Sequence, residues 1–293
     1  MKSGHEKFPS STSGMTALQV ATKAARCAGA ITLNWFAKVL DVSYKGRTNP
    51  VTQADLHAEA AVLDILQKEF PKHTILAEES GLSTGSSEYR WYVDPLDGTR
   101  NFVQGIPHFC TAIALANSNE VIVAATYDPI RKELFTAEKG EGAYLNGRPI
   151  NVSRRLDIEN SMIGFDLGYS EEEAAKAIEL ISHIWPNMQG FRLMGSSALA
   201  MAYTACGRID LYFHQTLSPW DVAGGILMVR EAGGICQDRY NRHSRPETQS
   251  IIASNENLLK TFWIPKSVYG IISGLFNVNI KNMSTVHWPM PFI

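Results

Sequence analysis

The sequence has few cysteines, almost no net charge and no long apolar run. Its four cysteines are widely spread with no paired spacing, which gives a zinc site little support and predicts free thiols in a reducing compartment (Cys27, Cys110, Cys206, Cys236). The formal net charge of −2 gives no electrostatic reason to expect nucleic acid or an anionic membrane as a partner. An anionic substrate must therefore be held by local groups.

No apolar run approaches the roughly 18 residues that a membrane-spanning helix needs, so no membrane span is predicted. The segment Met1–Gly14 is polar and rich in Ser, without the apolar core of a secretion signal. We therefore expect a cytoplasmic protein. A chain of 293 residues is long for one simple domain and suits two halves that share a core.

The two halves arrange their predicted helices and strands differently. Residues 1–155 combine helices with short β-rich runs that polar turns connect, which predicts an antiparallel α+β half. Residues 156–293 alternate strands with helices, which predicts an α/β half with a partly parallel sheet. The apolar and aromatic tail, residues 263–293, is expected to pack on the body of the protein or on a partner chain.

Three local patterns in these halves define expectations for particular elements. Apolar residues recur at helical spacing over Thr16–Leu40, and Asp55–Phe70 also reads as a helix. The polar segment Ser43–Pro50 between them has no periodicity and is predicted to be a mobile loop. The segment Ser170–Glu173 predicts a capping box at the start of a helix in the second half.

One stretch in the first half carries the most informative local pattern. Trp91–Val93 is aromatic and β-branched, which predicts a buried strand, and Pro95 biases Asp94 towards an extended conformation at the strand end. Asp97 and Gly98 then predict a turn, after which a helix can begin with its free N–H groups directed at the turn. Two carboxylates beside a helix N-terminus suit a divalent cation next to a bound phosphate.

Of four other interpretations of this stretch, one fits the sequence and three are rejected or disfavoured. An ordinary Pro-x-Asp-Gly turn fits the local pattern equally well. A calcium-binding EF-hand loop fails, because alternate positions hold Leu96 and Gly98 and the twelfth is Gly105. A Walker A loop fails because no Gly-Lys-Ser/Thr is present. The three-residue spacing of the two aspartates, with Pro95 between them, disfavours the covalent mechanism of haloacid-dehalogenase-type phosphatases.

Acidic residues also occur at three other informative positions. Glu78 and Glu79 follow the predicted strand Thr74–Ala77, where they are either solvated or part of an acidic cluster with the other strand end. Asp221 lies in the first turn of a predicted helix, where complementing the helix dipole is the simpler role. Asp55 is either an N-terminal cap or an acid of the site, and local sequence alone favours the cap.

Taken together, these acidic segments resemble the inositol monophosphatase family of lithium-sensitive, magnesium-dependent phosphatases. The segments are Glu78-Glu79, Asp94-Pro95-Leu96-Asp97-Gly98-Thr99 and Trp220-Asp221-Val222-Ala223-Gly224, and the resemblance runs in order from about Lys23 to Asn255. It implies a layered αβαβα sandwich in which an antiparallel-sheet half precedes a mixed-sheet half. It also implies a magnesium-dependent phosphomonoesterase that forms a homodimer and acts on a small-molecule phosphate monoester.

The resemblance implies a site with two or three Mg²⁺ ions. Asp94 would bridge two of them. Glu78 and the backbone carbonyl of Leu96 would complete one site, and Asp97 and Asp221 would complete the other. An all-oxygen ligand set of this kind suits Mg²⁺, which keeps several of its waters.

The resemblance also assigns catalytic and phosphate-binding roles. The phosphate would rest on the backbone N–H groups of Gly98 and Thr99. The Thr99 hydroxyl, hydrogen-bonded to Asp55, would orient a water that the metals activate and accept its proton, with Glu78 beside them. Lys45 matches a loop lysine near the metals. Glu79 would support the metal ligands from outside.

The substrate is less defined by the resemblance. In the family, the segment equivalent to Gly195-Ser196-Ser197 and the residue at position 214 contact the organic part of the substrate. Inositol-specific members have an acid at that position, whereas this chain has His214. Histidinol phosphate, fructose 1,6-bisphosphate and adenosine 3′,5′-bisphosphate therefore stay open as substrates, although Asn101 favours the inositol type over the nucleotidase type. A non-catalytic relative that binds metal or phosphate is the alternative outside catalysis.

Overall fold

The computed structural model describes residues 8–38, 42–46, 49–118 and 120–263. Their helices are α1 (Ala17–Trp35), α2 (Gln53–Glu69), α3 (Thr99–Val103), α4 (Glu171–Ile184), α5 (Ser197–Ala205), α6 (Pro219–Glu231) and α7 (Glu256–Trp263). The predicted tail lies outside the described residues except for Trp263, the last residue of α7. No helix in the described ranges is both long and apolar enough to cross a membrane.

The start of helix α1 is set by a local capping pattern, whereas its end is set by contacts with distant residues. It begins after Thr16, whose hydroxyl accepts from the Gln19 N–H at 3.1 Å, while the Gln19 side chain accepts from the Thr16 N–H at 2.9 Å. The predicted end at Leu40 is wrong, because Phe36 leaves the helix with an extended backbone. Its ring packs against Phe102 and Phe109, with centroids 5.6 and 5.0 Å apart.

Helix α4 begins with only half of the predicted capping box. The Ser170 hydroxyl accepts from the Glu173 N–H at 3.3 Å, as predicted. The Glu173 carboxylate, however, binds Lys176 at 2.9 Å and Arg239 at 2.7 Å rather than the Ser170 backbone. Two nearby cations thus outcompete the neutral N–H for this carboxylate.

An eight-stranded sheet forms the first half. Its strands are β3 (Thr74–Ala77), β4 (Gly81–Ser83), β5 (Arg90–Asp97), β6 (Cys110–Ala116), β7 (Val121–Asp128), β8 (Glu133–Glu138), β9 (Gly142–Leu145) and β10 (Arg148–Pro149), in the order β10-β9-β8-β7-β6-β5-β3-β4. All neighbours are antiparallel except β3 and β5, which are parallel. The predicted antiparallel meander is confirmed.

A separate two-stranded sheet precedes α2. Strand β1 (Val42–Tyr44) pairs antiparallel with β2 (Pro50–Thr52). The predicted loop over Ser43–Pro50 is therefore wrong at both ends, where cross-strand pairing orders the backbone. Pairing of this kind joins residues six to ten apart and has no periodic signature in so short a polar segment.

A five-stranded mixed sheet forms the second half. Its strands are β11 (Met162–Asp166), β12 (Gly190–Leu193), β13 (Leu211–His214), β14 (Ile235–Gln237) and β15 (Ile251–Ser254), in the order β12-β11-β13-β15-β14. The pairs β11–β12 and β11–β13 are parallel, and β15 is antiparallel to both of its neighbours. The predicted partly parallel sheet is confirmed.

Five layers result from the way the helices cover these two sheets. Helices α1 and α2 pack on one face of the large sheet, α5 and α6 lie between the two sheets, and α4 and α7 cover the outer face of the small sheet. Alternate residues of β5 face opposite layers, since Trp91 and Val93 pack with α1 and α2 while Tyr92 packs with α5 and α6. The layered αβαβα fold expected from the sequence is confirmed.

Candidate active site

Two neighbouring strand ends place acidic residues at one edge of the large sheet. Ala77 of β3 pairs in parallel register with Val93 of β5, and the Glu78 N–H donates to the Val93 carbonyl at 3.1 Å. Glu78 and Asp94 are therefore the next residues on adjacent parallel strands. This juxtaposition is one of the two alternatives that the sequence left open for Glu78, but β5 does not end at Asp94. It continues to Asp97 through a register shift, with the Leu96 N–H donating to Asp94 Oδ1 at 3.0 Å.

A cavity of about 620 Å³ lies at this edge and extends to the small sheet. Most of the residues proposed from the sequence line it: Lys45, Glu78, Asp94, Leu96, Asp97, Gly98, Thr99, Gly195, Ser197, His214 and Asp221. Two of the proposed residues lie behind this wall. Asp55 is fully buried behind Thr99, and Ser196 is buried behind Asp97.

Burial and mutual repulsion make the carboxylates of this cavity harder to ionise. Burial raises the pKa of Asp94 well above its ordinary value, and the negative charges of Glu78, Asp97 and Asp221 raise it further. Burial likewise raises the pKa of Asp221 and Asp97, and it raises that of Glu78 to about 7. Glu78 and Asp221, which are 143 positions apart along the chain, thus repel each other across the cavity.

Lys45 is a cation in direct contact with the acidic residues at this edge of the sheet. Its Nζ lies 3.3 Å from Glu78 Oε1 and 2.5 Å from Glu79 Oε1. Glu79 points to Lys45 rather than forming part of the cavity wall, and its backbone N–H donates to Glu59 Oε2 at 2.8 Å. One lysine cannot neutralise all the carboxylates of the cavity.

The donor chemistry of the wall fits a hard divalent cation. Carboxylate oxygens dominate it, and Asp94 and Asp221 each use one oxygen to accept from a backbone N–H, at 3.0 Å from Leu96 and 2.8 Å from Ser218. Mg²⁺ takes oxygen ligands and retains waters, so it does not need a closed cage of protein ligands. In the described ranges, no three or more His, Cys, Asp or Glu side chains are grouped so that they could hold a metal ion as they stand.

Asp55 contacts both the start of α2 and a residue of the cavity wall, although the N-cap residue itself is Thr52. At the third position of α2, its Oδ2 accepts from the Thr52 N–H at 2.8 Å and from the Thr52 hydroxyl at 2.6 Å, which caps the helix. Its Oδ1 lies 3.2 Å from the Thr99 hydroxyl, which is also 3.0 Å from the Leu96 carbonyl. Burial raises the pKa of Asp55, although the hydrogen bonds from Thr52 oppose that effect.

Gly98 provides the conformation that the start of α3 requires. Its φ of +98° lies in the left-handed region, and a Cβ here would meet the His108 carbonyl oxygen at 3.0 Å and the Gly195 carbonyl oxygen at 3.2 Å. The first N–H groups of a helix have no partners within the helix. Gly98 and Thr99 line the cavity at this point, so an anion there can meet backbone donors.

The second half of the chain holds Asp97 in place. Asp97 Oδ2 accepts a short hydrogen bond from the Ser196 hydroxyl and one of 2.8 Å from the Ala198 N–H, and Oδ1 lies 3.3 Å from the Ser197 N–H. These donors form the N-terminus of α5, which favours a negative charge. Ser196 therefore contacts a carboxylate and does not reach the cavity.

The opposite wall of the cavity contains a buried acid that the sequence interpretation missed. Asp166, at the end of β11, accepts from the Gly195 N–H at 2.5 Å and from the Tyr212 hydroxyl at 3.0 Å. Burial raises its pKa to about 7. Its position at the end of β11 is the signal that could have identified it, since predicted strand ends were treated as places for site acids.

His214 pairs in register with Asp166 on the neighbouring strand. Its Nδ1 accepts from the Thr216 N–H at 3.0 Å, and burial, aided by Arg239, lowers its pKa to about 3. The imidazole is therefore neutral, with its proton on Nε2. It can donate one hydrogen bond into the cavity but cannot supply positive charge.

Comparisons with known proteins find similar sequences and similar folds. A model of the inositol monophosphatase family matches residues 15–268. The protein named Nus factor SuhB of Escherichia coli K12 is 39% identical over 251 residues, which cover 83% of this chain and 92% of the relative. The solved structure of extragenic suppressor protein suhB from Bartonella henselae has a TM-score of 0.80 at 38% identity, covering 83% of this chain and 96% of that one. An IMPase structure from Thermotoga maritima has a TM-score of 0.77 at 29% identity, covering 89% and 96%.

Proposed function

The chain belongs to the inositol monophosphatase family, and we propose that it hydrolyses a small polyol or sugar phosphate with magnesium as its cofactor. One observation carries the proposal: carboxylates from both halves of the chain line one cavity beside the backbone N–H groups of Gly98 and Thr99. Such a site combines places for cations with a place for a phosphate.

The residues that would hold magnesium are Glu78, Asp94, the carbonyl of Leu96, Asp97 and Asp221. When bound, magnesium would supply the positive charge that activates an attacking water and stabilises the leaving oxygen. The buried position of these acids keeps them close together, and Ser196 holds Asp97 at the N-terminus of α5.

The chain's own residues then orient the water and the substrate. The Thr99 hydroxyl, 3.2 Å from Asp55, is placed to bind a water and pass its proton to that carboxylate. The raised pKa of Asp55 suits a proton acceptor. The Gly98 and Thr99 N–H groups would bind the phosphate, and Gly195, Ser197 and His214 would contact the organic group. Lys45, which binds Glu78 and Glu79, would balance charge at the edge of the site.

A second candidate function comes from the name of the Escherichia coli relative, Nus factor SuhB. By this analogy the chain could act as a protein partner in addition to, or instead of, catalysis. The Asp55–Thr99 contact favours catalysis, since a pure binding protein has no need for a paired acid and hydroxyl at the phosphate site. A homodimer and a cytoplasmic location stay predictions.

The substitution Asp94→Asn tests the proposal. With saturating magnesium, we expect its kcat/KM for a panel of phosphomonoesters to fall by more than the ~10–100-fold that is typical of losing an outer partner of a metal ligand. Asp64→Asn, on the exposed face of α2, is the control and should keep wild-type activity. Chelation should abolish activity and lithium should inhibit it.

Near-wild-type turnover by Asp94→Asn would contradict the metal assignment. Absence of turnover by the wild-type protein, together with magnesium-dependent thermal stabilisation, would favour the non-catalytic candidate instead.

A further inference from the structure

A second cavity, of about 940 Å³, opens directly beside the active-site cavity. The two cavities share Ser170, Thr216 and Gln249 in their walls. The second one is otherwise built by Glu173 and by the segment 238–250, which joins β14 to β15. A molecule bound in the active site can therefore extend past these shared hydroxyl and amide groups into the second cavity.

Hydrogen bonds fix the segment that forms this second cavity. The Asp238 carboxylate, 2% exposed, accepts from the backbone N–H groups of Tyr240 and Arg242 at 2.8 and 2.9 Å. Further along, the Arg245 N–H donates to the Thr248 hydroxyl at 2.9 Å. The cavity wall is thus organised before any ligand binds, which limits the entropy cost of binding.

Two of the three carboxylates in the cavity are already neutralised by arginines of the same wall. Glu173 binds Arg239 at 2.7 Å, and Asp238 binds Arg242 at 2.7 Å. Arg239 also donates to the Gln215 carbonyl, so both of its terminal nitrogens have partners in the protein.

The third carboxylate of the cavity, Glu247, has its partners outside the cavity wall. Glu247 accepts from the Tyr92 hydroxyl at 2.7 Å and lies 3.8 Å from Arg90, so its charge is compensated from outside the cavity. In the part of the chain that the structure describes, no carboxylate lies within ion-pair distance of the Arg245 guanidinium. Arg245 is therefore the cation of this wall that the protein leaves available to a ligand.

We propose that the second cavity binds a second phosphate of the substrate through Arg245. This inference rests on the proposed function and narrows it to polyol or sugar phosphates that carry another phosphate at the far end. A guanidinium presents a planar fork of donors that matches phosphate oxygens. The shared Ser170, Thr216 and Gln249 offer hydrogen bonds to the hydroxyl groups between the two phosphates.

Matched pairs of substrates test this assignment. We would measure kcat/KM for fructose 1,6-bisphosphate against fructose 1-phosphate, and for inositol 1,4-bisphosphate against inositol 1-phosphate. The wild-type protein should prefer the bisphosphate of at least one pair by ~10-fold or more, the value of one hydrogen-bonded charge contact. Arg245→Gln should remove that preference and leave the monophosphate values unchanged, whereas Arg148→Gln, an exposed arginine on β10, should change neither.

Equal kcat/KM values within both pairs, or an equal loss for both members in Arg245→Gln, would overturn the assignment. Calorimetric titration of the same compounds with Asp55→Asn, which we expect to bind without turnover, separates this result from the failure of catalysis. Tighter binding of a bisphosphate that Arg245→Gln abolishes would support the second cavity even if no protein variant turned over. Turnover without any such difference in binding would leave the phosphatase function and remove the second site.

Discussion

Replacing Glu78 by Gln should stabilise the metal-free protein at neutral pH and destabilise the magnesium-loaded one. In the folded protein, burial raises the pKa of Glu78 from 4.5 to about 7, although Lys45 opposes this effect. The unfolded chain has the ordinary value, so the folded state binds a proton more tightly than the unfolded state. The favourable contribution of Glu78 is therefore complete below about pH 4.5 and is lost as pH rises through about 7.

The size of this effect follows from the pKa difference. Each pKa unit corresponds to about 1.4 kcal/mol, so the loss amounts to ~3 kcal/mol between pH 4.5 and 7. The Glu78→Gln variant lacks this titration, and Lys45 keeps its ion pair with Glu79 at 2.5 Å. The difference in unfolding free energy, variant minus wild type, should thus grow by ~3 kcal/mol across this pH range.

Urea unfolding in the presence of a chelator, repeated at several pH values, measures the difference directly. Glu256→Gln, which removes an exposed acid paired with Lys260, is the control and should change the unfolding free energy little, because exposed ion pairs contribute little. At magnesium concentrations of ~1,000 times the Kd, the wild-type protein should gain ~4.1 kcal/mol and become the more stable of the two. The reasoning would be refuted if the difference in unfolding free energy between variant and wild type did not change with pH in the absence of metal. It would also be refuted if the variant stayed the more stable protein in the presence of magnesium.

Two further predictions concern the residues that support the site. Ser196→Ala should weaken magnesium binding by ~10–100-fold in calorimetry, because Asp97 loses its hydroxyl donor, whereas Ser254→Ala, which loses a buried bond of 2.7 Å to the Asp210 carbonyl, should leave magnesium affinity unchanged. Equal affinities in both variants would contradict the role of Ser196. Thr99→Ala should lower kcat by ~10²–10⁴-fold without changing the magnesium Kd, and a kcat within twofold of wild type would exclude Thr99 from positioning the water.

Local chemistry in the sequence was enough to predict an antiparallel first half, a partly parallel second half and most secondary structure, whereas the layered αβαβα arrangement was implied by the family resemblance. The two half-chains differ in how strands alternate with helices, and capping residues such as Thr16 mark where helices begin. Glu78 and Asp94 were recognisable as acids that follow the apolar residues of two predicted strands, and parallel pairing of β3 and β5 brings them together. Such features are encoded within a few neighbouring residues and need no knowledge of distant contacts.

Contacts between distant segments decided what the sequence interpretation misjudged. The early end of α1 follows from Phe36 packing on Phe102 and Phe109, and the missing half of the box at Ser170 follows from Arg239, 66 residues beyond Glu173. Whether Asp55 contacts only the start of its helix or also a residue of the site depends on the position of Thr99, which is 44 residues away.

The sequence by itself determined which elements form and which residues carry acidic oxygens, because backbone propensity and side-chain chemistry are local properties. Only the tertiary structure decided that α5 holds Asp97, that Asp166 faces the same cavity, and that Arg245 lines a second cavity with no carboxylate partner among the described residues. The physical reason is that burial and charge compensation depend on which distant groups meet, and no local pattern contains that information.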